Sequence, residues 1–216
     1  MGNLLNIIKA LISGFTTGIL ISLPLGPAAI ESVNNTISKG FKNGFMVSVG
    51  AISADMTYLF LINCGLAKLL QYNKSTEGIF WVISGFILVI MQYNDLKKLG
   101  DYSESKSQKY NTYPFLSGFV LTFTNPMTPT LWLGLSGTVI KLWRDQSTIT
   151  YHIFLLSILI GMIFWFATLN YMAYKGFNIF KNSNPKKASV YMKWLILFLG
   201  IAFIIFGLIK LIYSIL

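Results

Sequence analysis

Charged side chains are scarce in this chain. Of its 216 residues, Asp, Glu, Lys and Arg make up 11%, and the acidic residues number only 7. Soluble domains typically carry roughly 25% charged residues. Hydrophobic residues make up 54% of the chain, and the mean hydropathy is +0.62. This composition excludes an ordinary soluble globule and predicts an integral membrane protein.

Cysteine and histidine occur once each, as Cys64 and His152. One cysteine cannot form an internal disulfide or a thiolate cluster, and it argues against a carrier that works through a reactive thiol pair. The sequence also lacks HExxH, nucleophile and Walker A motifs, so it offers no basis for an enzyme or for direct ATP coupling. We therefore expect neither catalytic activity nor a cofactor nor a resident metal.

Long apolar stretches organise the chain. Six are visible, and they cover residues 6–35, 44–70, 79–96, 114–140, 150–174 and 190–214. A helix needs about 20 apolar residues to cross the hydrocarbon core of a bilayer. We predict an all-α membrane protein in which six transmembrane helices form a single domain over residues 1–216.

Two proline pairs interrupt these stretches at matching places. The first is Pro24-Leu25-Gly26-Pro27 and the second Pro126-Met127-Thr128-Pro129, and a Ser-Gly-Phe triplet precedes each, at 13–15 and 117–119. Proline inside a helix removes a backbone donor and clashes with the preceding turn. In lipid such a break is tolerated only where the freed carbonyls line a cavity or are buried in protein. The first and fourth helices are therefore predicted to be broken.

A polar segment divides the chain into two similar halves. It covers about residues 100–112, between a first repeat of about 1–99 and a second of about 113–216. Because each half holds three spans, the second half must enter the membrane in the opposite sense. The pattern predicts an inverted repeat with the substrate site between the two broken helices. Chance recurrence of the motifs in a biased composition is the alternative.

The formal charge of +10 is distributed over short connections rather than on a soluble face, so we expect no nucleic-acid partner. Eleven basic residues, Lys193 among them, fall on the side of the first, third and fifth loops, against six on the other side. The positive-inside rule then places these three loops in the cytoplasm and both termini outside the cell membrane. Anionic lipids are expected to attract the same loops.

Carboxylates occur within two of the predicted spans. Asp55 lies in the middle of the second span, and Glu31 lies one helical turn after Pro27. A carboxylate at bilayer depth costs about 2.5–3.5 kcal/mol on insertion scales and usually faces the protein interior or a water-filled path. Asp55 is thus a candidate for proton coupling or for binding a cationic group. A protonated or hydrogen-bonded structural aspartate is the alternative.

Polar residues also flank the second proline pair, where Thr124 and Asn125 precede it and Thr128 lies within it. Half-helix N-termini offer N–H groups to a carboxylate, and freed carbonyls can receive an ammonium group. A zwitterion such as an amino acid suits both. Backbone groups are expected to be exposed to it at four positions, Pro24, Gly26, Pro27 and Pro126.

The order of these landmarks resembles the LysE/RhtB family of amino-acid exporters. The resemblance rests on the motif at 23–27, on the small-residue segment 50–55 that ends in the aspartate, and on Asn125-Pro126. It implies efflux of amino acids or related small metabolites, driven by the proton-motive force. The chain departs from basic amino-acid exporters at Ala28 and Ala29, where those proteins have glutamine and asparagine.

Two other functions remain open from the sequence. A cation or heavy-metal exporter on a related scaffold could use the oxygens of Asp55, Glu31 and Asn125, although soft metals would lack thiolate ligands. A membrane scaffold without transport activity is the second. A homodimer is compatible with a bundle of this size, and the sequence does not require one.

Overall fold

The computed structural model describes residues 2–24, 26–63, 74–100, 113–179 and 185–215, and every regular element in these ranges is an α-helix. The helices are α1 (Gly2–Ser22), α2 (Pro27–Lys39), α3 (Phe41–Asn63), α4 (Lys74–Gly100), α5 (Pro114–Phe123), α6 (Met127–Gly137), α7 (Val139–Gln146), α8 (Thr148–Ile179) and α9 (Pro185–Ile215). Cys64 and nearly all of the polar segment 100–112 lie outside the described residues.

Both proline pairs interrupt the helical path, as the sequence predicts. α1 ends at Ser22 and α2 begins at Pro27, and the intervening Gly26 is extended. Pro27 stands at the first helical position, where a backbone N–H would have no intrahelical partner. In the second half, α5 ends at Phe123 and α6 begins at Met127. The first and fourth apolar stretches are therefore each built from shorter helices.

Length and composition identify four described helices as able to cross a membrane. They contain the segments Leu4–Ser22, Phe41–Asn63, Thr148–Gly176 and Lys193–Tyr213. Two further apolar segments are shorter, Trp81–Tyr93 and Pro114–Phe123, and they lie in the third and fourth of the six predicted spans. The fold is that of a multi-pass, all-helical membrane protein.

The fourth apolar stretch, 114–140, contains a second interruption that the sequence does not predict. α6 ends at Gly137, and Thr138 has φ −117° and ψ −96°, outside the α-helical region, before α7 begins. Gly134 and Gly137 weaken the helix here, because glycine costs about 1 kcal/mol relative to alanine in a helix interior. The amphipathic α7 then packs against α8.

Glycines allow α1 to pack closely on α8 and α3 on α5. A β-carbon at Gly14 would lie 2.5 Å from the carbonyl oxygen of Phe154, and one at Gly118 would overlap the carbonyl group of Val47. Helices in lipid associate largely through such close van der Waals contacts. Gly14 and Gly118 are the central residues of the two Ser-Gly-Phe triplets, so the repeated triplets make matching helix contacts.

α4 and α9 pack antiparallel through glycines spaced seven residues apart. Gly85 lies against Gly200, since a β-carbon at Gly85 would be 2.5 Å from the Gly200 carbonyl oxygen. Gly78, seven residues before Gly85 on α4, lies against Gly207, seven residues after Gly200 on α9. These two contacts fix the register of the two helices.

The C-terminal ends of α2 and α8 lie at the same end of the molecule as the N-terminal ends of α3 and α5. Gly40, whose φ of 90° favours glycine, is the single residue between α2 and α3. Thr36, near the C-terminal end of α2, bonds to Asn170 in the C-terminal half of α8. Val47 faces Gly118 and Tyr58 faces Phe123, so α3 and α5 run in the same direction. This end is called the Gly40 end below.

The half-helix α2 occupies the centre of the bundle, where it contacts α3, α5, α8 and α9. Most of its residues are buried although many are polar; they are Pro27, Ala28, Ala29, Glu31, Ser32, Asn34, Asn35 and Thr36. A helix with this composition is stable in such a place only if its polar groups find partners. α2 is therefore the element around which a polar site is built.

Candidate functional site

The two breaks lie next to each other, as the sequence predicts. A β-carbon at Gly26 would be 3.8 Å from the side-chain nitrogen Nδ2 of Asn125, in the other break. Pro27 and Pro126 are buried, Gly26 and Asn125 are half-buried, and Pro24 is exposed. Four of the five predicted break residues thus line one region between α1–α2 and α5–α6, and Pro24 lies at its exposed edge.

Asn125 stabilises the second break by bonding to the chain itself. Its Oδ1 accepts a hydrogen bond from the backbone N–H of Met127 at 3.1 Å, and its backbone carbonyl accepts one from the N–H of Thr128 at 3.1 Å. The hydroxyl of Thr124 donates to the carbonyl of Val120 at 2.7 Å. The Asn125 Nδ2 group points across to the first break. Asn125 and Thr124 therefore hold the broken backbone in shape, and Thr128 is buried beside them.

Tyr58 supplies a hydrogen bond that the break removes. In an uninterrupted helix the carbonyl of Phe123 would accept from the N–H of residue 127, but that N–H is bonded to Asn125. The hydroxyl of Tyr58 donates to the Phe123 carbonyl instead, at 2.6 Å. Sequence reasoning missed Tyr58, whose only signal is its position one turn after Asp55 in an apolar helix.

Asp55 lies on α3, is half-buried, and bonds to α6. The indole N–H of Trp132 donates to Asp55 Oδ1 at 2.8 Å, and Trp132 is fully buried. The donor carries no charge, so the bond can form to an ionised carboxylate or to a protonated carboxyl group. The sequence identified Asp55 but not Trp132, because a tryptophan in an apolar helix is ordinarily a packing residue.

Glu31 is buried on α2 and bonds to neighbouring amides. The Asn35 side chain donates to Glu31 Oε1 at 2.6 Å, and the Asn34 side chain lies 3.4 Å from Oε2. Asp55 bonds to α6, whereas these contacts of Glu31 stay within α2. The two predicted carboxylates are thus held by different helices.

A buried polar cluster joins α2 to α3 and α8. Ser32 Oγ lies 2.7 Å from Ser48 Oγ and donates to Asn170 Oδ1 at 2.8 Å, and Asn170 Nδ2 donates to Ser48 Oγ at 2.9 Å. Thr36 also bonds to Asn170 Oδ1. Gly44 makes room, because any β-carbon there would overlap the Thr36 hydroxyl. Serines and threonines in spans are common packing residues, so the sequence does not distinguish Ser32, Thr36 and Ser48 as members of this cluster.

An apolar groove of about 660 Å³ lies elsewhere, between α3 and α8. Its lining residues are Phe45, Val49, Ile52, Ser53, Met56, Thr57, Phe60, Leu159 and Ile163. It includes none of the predicted site residues. Among the described residues, His, Cys, Asp and Glu form no group of three that could hold a metal ion.

Known proteins share the sequence pattern of this chain. The model of the LysE family, described as LysE type translocator, matches residues 19–214. A curated relative from Bacillus subtilis (strain 168), named "Putative amino acid efflux protein YcgF", is 25% identical over 158 residues, which cover 71% of this chain and 75% of the relative. No solved structure matches the chain.

Proposed function

The chain belongs to the LysE family of translocators, and on that premise we propose that it is a secondary active exporter of amino acids or closely related small metabolites. The name of the Bacillus subtilis relative supports an amino-acid substrate. Family membership implies a transporter rather than an enzyme. The meeting of two broken helices at Gly26 and Asn125 carries the proposal, because such breaks form the substrate sites of secondary transporters.

The substrate site lies between the breaks in this proposal. The N-terminus of α2 offers backbone N–H groups and a positive dipole end to a carboxylate, and the end of α5 offers carbonyls to an ammonium group. Asp55 couples transport to proton movement. Its partner Trp132 is neutral and can donate to the carboxyl group in either protonation state, as such coupling requires. The residues assigned to binding or coupling are Asp55, Glu31, Asn125, Pro24, Gly26, Pro27, Pro126, Thr124 and Thr128.

The six spans form an inverted repeat in this proposal, with α1–α2, α3 and α4 matched to α5–α6, α8 and α9. The matching contacts of Gly14 with α8 and of Gly118 with α3 support it. α7 has no counterpart between α2 and α3, which Gly40 alone separates, so the two repeats differ after the second break.

The protein resides in the cell membrane with the Gly40 end in the cytoplasm and both termini outside. This orientation rests on the excess of basic residues in the loops assigned to that end. It places the entrance for an exported substrate at the polar α2, because α2 reaches the Gly40 end.

The test is efflux from whole cells loaded with dipeptides that release single amino acids. We expect cells that produce the wild-type protein to export at least one amino acid faster than cells without it. The Asp55→Asn variant should lose this export at an unchanged membrane level. Asp145→Asn, which changes an exposed aspartate on α7, is the matched control and should export normally.

Absence of efflux for every amino acid from well-expressed protein would contradict the proposed function. The cation-exporter alternative would then be tested by metal tolerance, although no observation in the structure favours it. Normal export by Asp55→Asn would leave the function in place and remove Asp55 from the mechanism.

A further inference from the structure

Two oppositely charged residues are buried in helices that pack together. Glu31 on α2 is 6% exposed and Lys193 on α9 is 7% exposed, and they are the charged residues among the buried side chains of the described chain. The sequence had placed Lys193 among the cytoplasmic loop charges, but in the structure it lies on α9 and is buried in the bundle. Burial of a charge is costly unless other groups compensate it.

The directions of α2 and α9 bring these two residues to the same level. α2 and α8 both run toward the Gly40 end, and α9 begins only six positions after α8 ends, so it runs back. Ala28 of α2 and Ile196 of α9 share one buried apolar cluster. Glu31 lies one turn after Ala28 and Lys193 one turn before Ile196. Both are therefore displaced from the cluster by one turn toward the Gly40 end.

α4 adds a third polar residue at this level. Gln92 lies seven residues after Gly85 on α4. Lys193 lies seven residues before Gly200 on α9, so both residues continue the spacing of the glycines that face each other. Gln92 also lies one turn from Leu88, a member of the same apolar cluster as Ala28 and Ile196. Gln92 and Lys193 thus face each other where the glycine contacts between α4 and α9 end.

Two buried carbonyl oxygens near these charges have no hydrogen-bond donor in the described part of the chain. They are Oε1 of Gln92, a residue 2% exposed, and Oδ1 of Asn34, a residue 3% exposed. Asn34 lies next to Glu31, to which its amide nitrogen points. A buried acceptor without a donor is destabilising. In a transporter, a bound ligand is one source of such a donor.

We propose that Glu31, Asn34, Gln92 and Lys193 form a loading site for a zwitterion, which shares Glu31 with the proposed transport site and lies closer to the Gly40 end than the helix breaks. The ammonium group of the ligand donates to Gln92 Oε1, Asn34 Oδ1 and the Glu31 carboxylate. Its carboxylate accepts from the Lys193 ammonium. Glu31 and Lys193 thus give the site one group of each charge, as recognition of a zwitterion requires.

The loading site adjoins the proposed transport site. Glu31 is four residues beyond Pro27, which corresponds to about 6 Å along a helix. A zwitterion bound at the loading site can therefore pass to the breaks by moving along α2. This inference rests on the proposed amino-acid export.

Ligand chemistry provides the test, with the purified full-length protein in detergent. Thermal stabilisation is measured with the proteinogenic L-amino acids one at a time, and then with the methyl ester and the N-acetyl derivative of the best ligand. The ester lacks the carboxylate and the N-acetyl form lacks the ammonium group. Wild type should bind the parent amino acid at least about tenfold more tightly than either derivative, or about 1.4 kcal/mol.

Each charge variant should lose the preference for the parent amino acid over one derivative and keep the preference over the other. Lys193→Met should bind the amino acid and its ester with similar affinity, whereas Glu31→Gln should lose its preference over the N-acetyl form. Gln92→Leu should weaken the amino acid about tenfold at a melting temperature close to wild type. Lys42→Met, an exposed lysine at the same end, is the control and should behave as wild type.

A merely structural role for these residues predicts a different pattern. The proposal of a loading site is overturned if folded Lys193→Met and Glu31→Gln variants keep both wild-type preferences. This holds even if export continues. If Lys193→Met does not fold, unchanged binding by Gln92→Leu overturns it instead. Failure of wild type to export any amino acid in the whole-cell assay is separate, because it contradicts the proposed function itself.

Discussion

At the scale of single residues, the structure shows how a helix break is maintained in an apolar bundle. Asn125 binds the N–H of Met127, and Tyr58 binds the Phe123 carbonyl that this N–H would otherwise satisfy. One residue at the break and one from α3 therefore replace a single lost helical bond. The break is held open by specific partners, and its shape does not depend on proline alone.

Tyr58→Phe tests this replacement. The substitution keeps the ring against Phe123, 5.0 Å away between centroids, but removes the donor to its carbonyl. An acceptor left buried without a donor costs about 1–3 kcal/mol. We expect a lower melting temperature of the purified protein and slower export. Tyr113→Phe, at an exposed tyrosine, is the control; equal melting temperatures for the two variants would refute the role of Tyr58.

The sequence singles out some residues of the candidate site and not others, for a physical reason. Asp55 was identifiable because a carboxylate in an apolar span is costly, and Asn125 because it adjoins a proline break. Trp132 and Tyr58 were not identifiable, since aromatic residues are common in spans and only the fold shows which polar atom each one meets. Lys193 was counted with the loop charges because it lies near the start of a span, and only the fold shows that its side chain is buried.

At the scale of helices, glycine positions decide which elements approach closely. Gly118 lies where α5 meets the backbone of α3 at Val47, and Gly14 plays the same part between α1 and α8. By contrast, a β-carbon added at Gly134 on α6 would have no atom of another described helix within 4 Å. The same residue type therefore serves packing in two helices and leaves open space in a third.

Gly118→Ala should disturb the contact between α3 and α5. The added β-carbon overlaps the Val47 carbonyl, which is backbone and cannot move aside alone, and overpacking of this kind typically costs about 1–3 kcal/mol. Gly14→Ala should cost a similar amount, whereas Gly134→Ala should be neutral or stabilising. Melting temperatures of the three purified variants check this. A loss for Gly134→Ala equal to that for Gly118→Ala would contradict the packing account.

The two breaks were predictable at this scale because proline acts locally, whatever the surroundings. The interruption at Thr138 was not, because Gly134 and Gly137 have the same appearance in sequence as packing glycines such as Gly118. Neighbouring atoms distinguish them, and those atoms come from helices distant in the sequence.

At the scale of the whole molecule, the arrangement concentrates polar groups on one half-helix. α2 bonds to α3 and α8 through Ser32, Thr36 and their partners, and it packs against α9. The helices around it present apolar side chains outward, including Phe60 and Phe198. Polar α2 inside an apolar bundle is the arrangement expected of a path for a charged solute.

The proposed orientation predicts which ends of the helices reagents can reach. In a Cys64→Ser background, cysteines substituted at Lys42 and Lys175 should react with a membrane-impermeant maleimide only after the cells are opened. A cysteine at Gln146, near the end of α7, should react in intact cells. Labelling of Lys42→Cys in intact cells at the rate of Gln146→Cys would reverse the assigned topology.

The most direct measurement is transport by the purified protein in liposomes under an imposed proton gradient, with the amino acid identified by whole-cell efflux. We expect wild type and Asp145→Asn to move the amino acid against its gradient and Asp55→Asn to fail to do so. Uphill transport by Asp55→Asn at the wild-type rate would contradict the claim that this carboxylate, held by Trp132 beside the broken helices, couples export to protons.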